Sequence, residues 1–362
     1  MCSYLKKNLI LGILILGTSL LFAQRPVNYD SPEYEYNLAV ELLQKEKYGS
    51  AQQYFKYVYE HTHDKQQDIK SNSYFYMGIC AAQLYNEDAI FLLKDFIRHY
   101  PVHSYVPEAY YHLGKFYFYK RQYKKVLDSF SQIDERNVRP TEMAEYRFKL
   151  GYSYFATGDS YEAKYHLNQA RLEEGEYQLR AIYYLAHIAY EEQNYEPALQ
   201  DFLLLKDEPE YQNVVPYYIV QIYFLQKRYE ELIAVAPPLF EKTTDKNKSD
   251  IARSLALAYY NLGMYKNAEE YFDFYLNDKN AQPDRKDNFA AGYTYYNTEN
   301  FSKSIKYLSE SAKDSVDIIT QTALYVIGDC YLKSQQLDLA KQSFYEASKL
   351  DFSSDIKEDA LY

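Results

Sequence analysis

The 362-residue chain lacks tryptophan altogether and contains only three cysteines. Cys2 precedes the first apolar run, so Cys80 and Cys330, near opposite ends of the chain, are the remaining thiols. Two distant thiols cannot build the dense disulfide framework of small secreted domains. We therefore expect both to be buried and free, and the fold to be stabilised by packing alone.

Positive charge is also scarce, because 40 Lys and Arg face 51 Asp and Glu, a formal charge of −11. Nucleic-acid binding needs clustered basic side chains, so this balance argues against it. The sequence has no phosphate-cradling glycine loop, metalloprotease helix or nucleophile elbow, and it gives an enzyme or a cofactor no support. The loop 61–64, His-Thr-His-Asp, supplies too few converging ligands to predict a metal site.

Long apolar runs are confined to the N-terminus. Met1–Ala23 has Lys6 and Lys7 before an apolar run of about 14 residues, short of the roughly 20 that span a bilayer. A small residue, Ala23, precedes Gln24. This pattern is typical of a cleaved secretory signal peptide. We expect an exported, soluble mature chain with a formal charge of −13, since cleavage leaves 38 basic and 51 acidic residues.

Tyrosine is abundant instead, with 46 copies, and it recurs in a pattern that is clearest from Gln321 to Asp351. Apolar residues there fall at three- and four-residue spacing, which predicts two amphipathic helices joined by a turn at 333–336. Gly328 and Ala340 lie equally far from that turn. In an antiparallel pair we expect them to face each other, with Tyr331 and Phe344 closing the contact.

This helical pair recurs along the chain. The residues equivalent to Ala340 are Ala51, Ala89, Val126, Ala163, Ala198, Leu232, Ala268 and Ser304, with neighbours 34 to 38 residues apart. Those equivalent to Gly328 are Ala39, Gly78, Gly114, Gly151, Ala186, Val220, Ala256 and Gly292. A helix–turn–helix at a fixed period of this length predicts a solenoid of nine repeats.

The repeated residues resemble the tetratricopeptide repeat family. Ile327-Gly328-x-x-Tyr331 followed by Ala340-x-x-x-Phe344 carries the resemblance, as do the matching positions around Gly114 and Gly151. The resemblance covers nearly all of residues 31–352. It implies an all-α, right-handed superhelix of helical hairpins that binds other proteins.

The predicted layout is a signal peptide at 1–23, a repeat array at 24–352 and the beginning of a further repeat helix at 353–362. Repeats are expected to begin near 32, 71, 107, 144, 179, 213, 249, 285 and 321. Pro237 and Pro238 fall inside the second helix of the sixth repeat, where each removes a backbone donor. We expect a break or kink there and, with the polar connector 243–249, two rigid halves.

Counting the small residue of each first helix as position eight, positions five, nine and twelve form a second stripe beside the core stripe. Position five reads Tyr36, Phe75, Tyr111, Phe148, Tyr183, Tyr217, Arg253, Phe289 and Tyr325. Position twelve reads Leu43, Ala82, Phe118, Phe155, Tyr190, Phe224, Tyr260, Tyr296 and Leu332. We call the face formed by these three positions the ladder face. The family resemblance implies that it lines a concave groove.

Two interpretations of the ladder face remain open: a groove for a partner peptide or helix, or rings that pack between successive first helices. The groove hypothesis names Tyr111, Phe148, Tyr152, Phe155, Tyr183, His187, Tyr190, Tyr217, Phe289, Tyr293 and Tyr296 as partner contacts. Position nine holds the large side chains Tyr152, His187, Leu257 and Tyr293, with Lys115 and Gln221 as polar exceptions. Of these, Tyr152, His187 and Tyr293 are expected to be exposed. The Lys and Asn pair that grips a C-terminal carboxylate in one subtype of the family is missing from every repeat.

The signal peptide and the resemblance together predict a non-enzymatic scaffold in the periplasm, soluble or peripheral to the outer membrane, that holds partner proteins for envelope or secretion complex assembly. In this it resembles exported repeat proteins of bacteria with two membranes. Two alternatives are a glycan- or peptidoglycan-binding repeat protein and an accessory module of a longer chain. The absence of tryptophan weighs against the glycan alternative.

Overall fold

The computed structural model describes residues 31–63, 66–244 and 247–361, and over these ranges the chain is helical without a strand. The predicted signal peptide lies outside the described residues. The helices are α1 Pro32–Gln44, α2 Tyr48–His61, α3 Gln67–Gln83, α4 Ala89–His99, α5 Val106–Tyr119, α6 Tyr123–Phe130, α7 Met143–Thr157, α8 Ser160–Ala170, α9 Glu176–Glu191, α10 Tyr195–Leu205, α11 Val215–Leu225, α12 Tyr229–Lys242, α13 Asn247–Asn261, α14 Tyr265–Asn277, α15 Arg285–Asn297, α16 Phe301–Ser311, α17 Ile318–Lys333, α18 Leu337–Ser348 and α19 Ser354–Asp359.

The first eighteen of these helices form nine hairpins, and the nine turns have one geometry. Each turn holds one residue with a positive φ, between 55° and 90°: Glu46, Tyr85, Arg121, Gly158, Gln193, Lys227, Gly263, Glu299 and Gln335. The next residue donates its backbone N–H to the carbonyl five residues earlier at 2.8–2.9 Å, as Gln336 does to Tyr331. This is the Schellman motif, which satisfies the last carbonyls of a helix and reverses the chain tightly.

The two helices of a hairpin approach closely where the first helix carries glycine. A Cβ added at Gly328 would lie 2.7 Å from Cδ1 of Phe344, and one added at Gly292 would lie 2.6 Å from Cγ of Leu308. The atoms nearest to Gly328 belong to the ring of Phe344, one turn beyond Ala340, which was predicted to close this contact. The small residue of the first helix makes room for a large residue of the second.

The contacts divide the chain into two compact units, one up to Ala181 and one from Ile182 onward, with the boundary inside α9. Within each unit the second helix of a hairpin packs against the first helix of the next. Successive first helices also contact each other, as α3–α5 and α5–α7 do in the first unit and α11–α13 and α13–α15 in the second. The boundary therefore differs from the division expected at the polar connector 243–249.

The helix α12 is continuous through Pro237 and Pro238, so the expected break is wrong. Leu232 and Ala236 before the prolines and Phe240 after them are buried, and they hold both ends of the helix against the core. The prolines leave the carbonyls four residues earlier without a partner within the helix. One of these belongs to Ala234, which is exposed, so water can satisfy it.

Cys80 and Cys330 are buried free thiols, as predicted. Among the helices of the described ranges, none combines the length and the apolar character needed to cross a membrane.

Candidate functional site

The predicted groove residues are less accessible than the sequence suggests. Tyr111 and Phe148 each expose only 3% of their surface, so they offer a partner almost nothing. The other nine are half-buried: Phe155, Tyr183, Tyr190, Tyr217, Phe289 and Tyr296, together with Tyr152, His187 and Tyr293. The expectation that the last three are exposed is therefore wrong.

Two of the three position-nine rings, Tyr152 and Tyr293, each lie in a cluster of three rings, one in each unit. Tyr152 contacts Phe118 and Tyr123 of the preceding hairpin, with ring centroids 5.4 and 5.3 Å apart. Burial and a hydrogen bond with Tyr152 raise the pKa of Tyr123 to about 12. Tyr123, the first residue of α6, thus packs against the first helix of the next hairpin.

The second unit repeats this cluster at Tyr293, which contacts Tyr260 at 6.2 Å and Tyr265 at 6.0 Å. His187 is covered differently, by Tyr218 of α11, the first helix of the next hairpin, with ring centroids 5.5 Å apart. Edge-to-face ring pairs of this kind stabilise the packing by more than the burial of their apolar area alone. For these position-nine rings the packing interpretation of the ladder holds within each unit.

In the first unit a charged network occupies the ladder face between α5 and α7. Glu145 accepts hydrogen bonds from Lys115 at 2.9 Å and from the Tyr111 hydroxyl at 3.0 Å, and its other oxygen lies 3.0 Å from Lys149. Burial by itself would raise the pKa of Glu145, but the two ammonium groups outweigh it and lower that pKa to about 2. Burial lowers the pKa of Lys149. The network closes this part of the face with the protein's own charges.

The sequence reasoning missed this network, although it noted Lys115 as a polar exception at position nine. The available signal was Glu145 and Lys149, four residues apart and so on one side of a helix. Their meeting with Lys115 depends on how α5 and α7 stack, which one helix cannot predict.

In the second unit the ladder face contains a cavity of about 330 Å³ between the first helices of successive hairpins. It is lined by Phe224, Arg253, Leu257, Tyr260, Asn261, Asp284, Lys286, Asp287, Phe289, Ala290 and Ile319. Arg253 stands where every other first helix has an aromatic ring at position five. Leu257 fills position nine, and Ala290 on the next first helix is small. All three side chains line the cavity.

Charged groups at one side of the cavity are paired with each other. Arg253 Nε donates to Asp287 Oδ2 at 2.8 Å, and its terminal nitrogen donates to Asp284 Oδ2 at 3.4 Å. Burial opposes the guanidinium charge, but the bond with Asp287 outweighs it and raises the pKa of Arg253. Asp284 and Asp287 also form the capping box that begins α15. Asp287 is 1% exposed, and its Oδ1 is buried and accepts no hydrogen bond.

A serine–histidine contact in the first unit is not arranged for catalysis. Tyr105 donates its backbone N–H to Nδ1 of His103 at 3.2 Å, so the proton of the neutral ring is on Nε2. Nε2 lies 3.1 Å from Oγ of Ser71, which donates to the carbonyl of Asp68. A general base would need the opposite tautomer facing the serine.

Metal ligands do not converge in the part of the chain that the structure describes: no group of three or more His, Cys, Asp or Glu side chains could hold an ion there. In the loop 61–64, the His61 ring stacks on Tyr57 at 4.2 Å and its Nδ1 lies 2.8 Å from the Tyr57 carbonyl. The last residue of that loop lies outside the described ranges.

The described part of the chain forms nine hairpins with one turn geometry. First helices pack against first helices within each unit, so this is a helical-hairpin repeat protein. The sequence model of the tetratricopeptide repeat matches residues 254–273 and 321–354, on the hairpins α13–α14 and α17–α18. These two stretches belong to the tetratricopeptide repeat family, as their repeated residues predict.

The solved structures that are similar to this chain include the apo form of RapI, at 15% identity and a TM-score of 0.45, covering 91% of this chain and 97% of that one. A tetratricopeptide repeat protein from Parabacteroides merdae has 15% identity and a TM-score of 0.40, with coverages of 70% and 97%. The C-terminal part of a repeat protein from Cytophaga hutchinsonii has 14% identity and a TM-score of 0.43, with coverages of 69% and 98%. No curated protein matches the sequence.

Proposed function

We propose that the chain is a non-enzymatic scaffold that holds a partner protein on the ladder face of its second unit. The observation that carries this proposal is the cavity of about 330 Å³ between successive first helices. Its size lies in the range of binding pockets, and six of its eleven lining residues are apolar or aromatic. Tetratricopeptide repeats form extended stacked surfaces that suit protein partners.

The same proposal places the scaffold in the cell envelope, where it would hold partners for envelope or secretion complex assembly. Support comes from the N-terminal pattern of Met1–Ala23 and from the acidic composition. A segment of this pattern directs export, so the partner is expected among proteins that are themselves exported.

Glycan binding remains a weaker alternative. A sugar ring stacks on a flat aromatic face that is open to solvent, whereas the position-nine rings are half-buried and meet each other edge to face. The chain also lacks tryptophan. These observations favour a protein partner over a sugar.

The test is affinity capture of exported proteins by the immobilised full chain and two variants. Asn261→Tyr adds a ring at the mouth of the cavity, and Ala156→Tyr adds one at the equivalent exposed position of α7 in the first unit. We expect Asn261→Tyr to lose most of a captured partner that the wild type and Ala156→Tyr retain. Equal capture by all three proteins would remove the second-unit face from the proposal, and capture of cell-wall glycan alone would favour the alternative.

A further inference from the structure

One hairpin turn of the first unit concentrates positive charge in a chain whose formal charge is −11. Residues 120–125, at the turn between α5 and α6, read Lys-Arg-Gln-Tyr-Lys-Lys and hold four cations without a carboxylate. The equivalent turn of the second unit, residues 226–231 between α11 and α12, reads Gln-Lys-Arg-Tyr-Glu-Glu. Arg121 and Lys227 both have a φ of 55°, so the two turns share their backbone and differ mainly in charge.

The first-unit turn leaves most of its charge unpaired. Arg121 and Lys124 are exposed, and neither forms an ion pair with the part of the chain that the structure describes. Lys120 does pair, with Glu87 of the preceding hairpin turn. Asp88 is the other carboxylate of that preceding turn, and it is exposed. Positive charge therefore exceeds negative charge at the ends of these two hairpins.

The second unit neutralises the equivalent turn. Arg228 bonds to Glu231 at 2.9 Å and to Glu196 at 3.2 Å. Glu231 stands at the position of Lys125, which is exposed and donates to a neutral side-chain amide at 2.9 Å. Lys94 of α4, also exposed, extends the positive surface of the first unit, because it and Lys125 lie over the same tyrosine ring. The exposed positive surface belongs to this turn and is not a property of the repeat.

Two exposed rings lie beside these cations. Tyr85 and Tyr119, from the two successive turns, stand with ring centroids 4.3 Å apart and expose 58% and 55% of their surface. The Lys120 ammonium lies 5.8 Å from the ring of Phe116, which in turn lies 6.2 Å from that of Tyr119. The paired rings fill the space between the turns, so the surface is raised and has no groove there. We call it the tip patch, formed by Tyr85, Tyr119, Lys120, Arg121, Lys124 and Lys125.

We propose that the tip patch docks the chain on an anionic membrane surface, with its cations at the lipid phosphates and its two rings in the headgroup layer. Each Lys or Arg close to an anionic bilayer adds attraction. Tyrosine favours the boundary between water and hydrocarbon, where its ring and its hydroxyl are both satisfied. An acidic peptide would match the cations, but an extended peptide binds in a groove or at a sheet edge, and the raised patch offers neither.

This inference goes beyond the proposed partner site, because it uses the other unit and does not depend on the cavity. The chain's lack of tryptophan provides a local reporter. In Tyr119→Trp the indole stands in the tip patch, and vesicles of equal parts phosphatidylglycerol and phosphatidylcholine should move its emission to shorter wavelength in a saturable way. Vesicles of phosphatidylcholine alone should not. Leu225→Trp is the control, since Leu225 ends α11 as Tyr119 ends α5 and is 50% exposed. We expect no shift from it.

Charge reversal in the Tyr119→Trp chain tests the cations. Arg121→Glu combined with Lys124→Glu should weaken the affinity for the anionic vesicles at least tenfold. Lys227→Glu combined with Lys266→Glu changes the net charge equally at the equivalent turn positions of two second-unit hairpins, both exposed. This control pair should leave the affinity within about twofold, because distant exposed charges are screened.

The absence of a shift, or an equal shift with phosphatidylcholine alone, would overturn the inference. An equal shift from Leu225→Trp, or equal weakening by the two charge-reversal pairs, would overturn it as well. A shift with polyglutamate and none with vesicles would assign the patch to an acidic protein instead. The two vesicle compositions are compared on one protein, so the result stands even if a charge-reversal variant fails to fold. Partner capture at the second-unit cavity and vesicle binding can each fail without the other.

Discussion

The two units build their ladder faces from the same helix positions and reach different results. In the first unit Tyr111 and Phe148 are buried, and Glu145 is held by two lysines and a tyrosine. In the second unit the ladder face holds a cavity of about 330 Å³. Hairpins with the same turn geometry can thus present a closed or an open surface, depending on a few side chains.

What distinguishes the open face is the interruption of the ladder at Arg253. A guanidinium at position five turns toward Asp284 and Asp287 and leaves the volume that a ring would fill. In this aromatic-rich array the cavity therefore lies where the ring of position five is missing.

The largest expected effect concerns the network that closes the first unit. Glu145→Gln leaves two partly buried ammonium groups without their carboxylate, and we expect a loss of about 3 kcal/mol in the free energy of unfolding at neutral pH. Denaturant unfolding measures it. Glu87→Gln is the control, because Glu87 pairs with Lys120 at a side-chain exposure of 78% and should cost no more than about 1 kcal/mol.

This stabilisation should also depend on pH. The folded-state pKa of Glu145 is about 2, below the usual glutamate value of 4.5. Its contribution is therefore complete above 4.5 and is lost as the pH falls toward 2. The difference between wild type and Glu145→Gln should shrink over that window. A difference that stays constant from pH 7 to pH 3 would contradict the assigned network.

A second prediction tests whether the interiors of the hairpins are equivalent, so that only the ladder faces differ. Gly151→Ala in the first unit would place Cβ 3.0 Å from the backbone N of Leu167, and Gly292→Ala in the second would place it 2.9 Å from that of Leu308. Each should destabilise by about 2 kcal/mol, since backbone cannot easily move aside. Gly49→Ala, with nothing within 4 Å, should be neutral or slightly stabilising. A large difference between the first two variants would show that the units also differ inside.

The smallest effect lies in the turns. Glu46 in the first unit and Glu299 in the second hold φ angles of 56° and 63°, which strain a residue with a Cβ. Each change to glycine should raise the free energy of unfolding by about 0.5–1 kcal/mol, measured by denaturant unfolding. Gly263→Ala, at a φ of 72°, should lower it by a similar amount. Destabilisation by both glycine substitutions would refute the strain.

Much of the fold follows from the sequence because each hairpin repeats the same local signals. The turn of α17–α18 lies at 334–336, as predicted within 333–336, since helix spacing and a polar breaker are local properties. The continuity of α12 does not follow from the sequence. The free-energy cost of proline in a helix can be read from the sequence, whereas the burial of Ala236 and Phe240, which holds the helix in place, depends on the tertiary structure. The exposure of Tyr152 and Tyr293 also depends on the neighbouring hairpin, whose Tyr123 and Tyr265 cover them.

The candidate site was only partly predictable for the same reason. Phe289 was named from its helix position, and it does line the cavity. Arg253 appeared in the same series without being recognised as an interruption. Asp287 carries no periodic signal, because its importance comes from burial beside Arg253 at the beginning of the next first helix.

The most direct measurement of the difference between the two units is site-specific photo-crosslinking in intact cells, followed by mass spectrometry. A photoreactive amino acid replaces Asn261 in one strain and Ala156 in another, two exposed residues at the same position of their first helices. Our account predicts a discrete protein adduct from position 261 and little or none from position 156. An adduct of equal or greater yield from position 156 would contradict the claim that the second unit holds the open face.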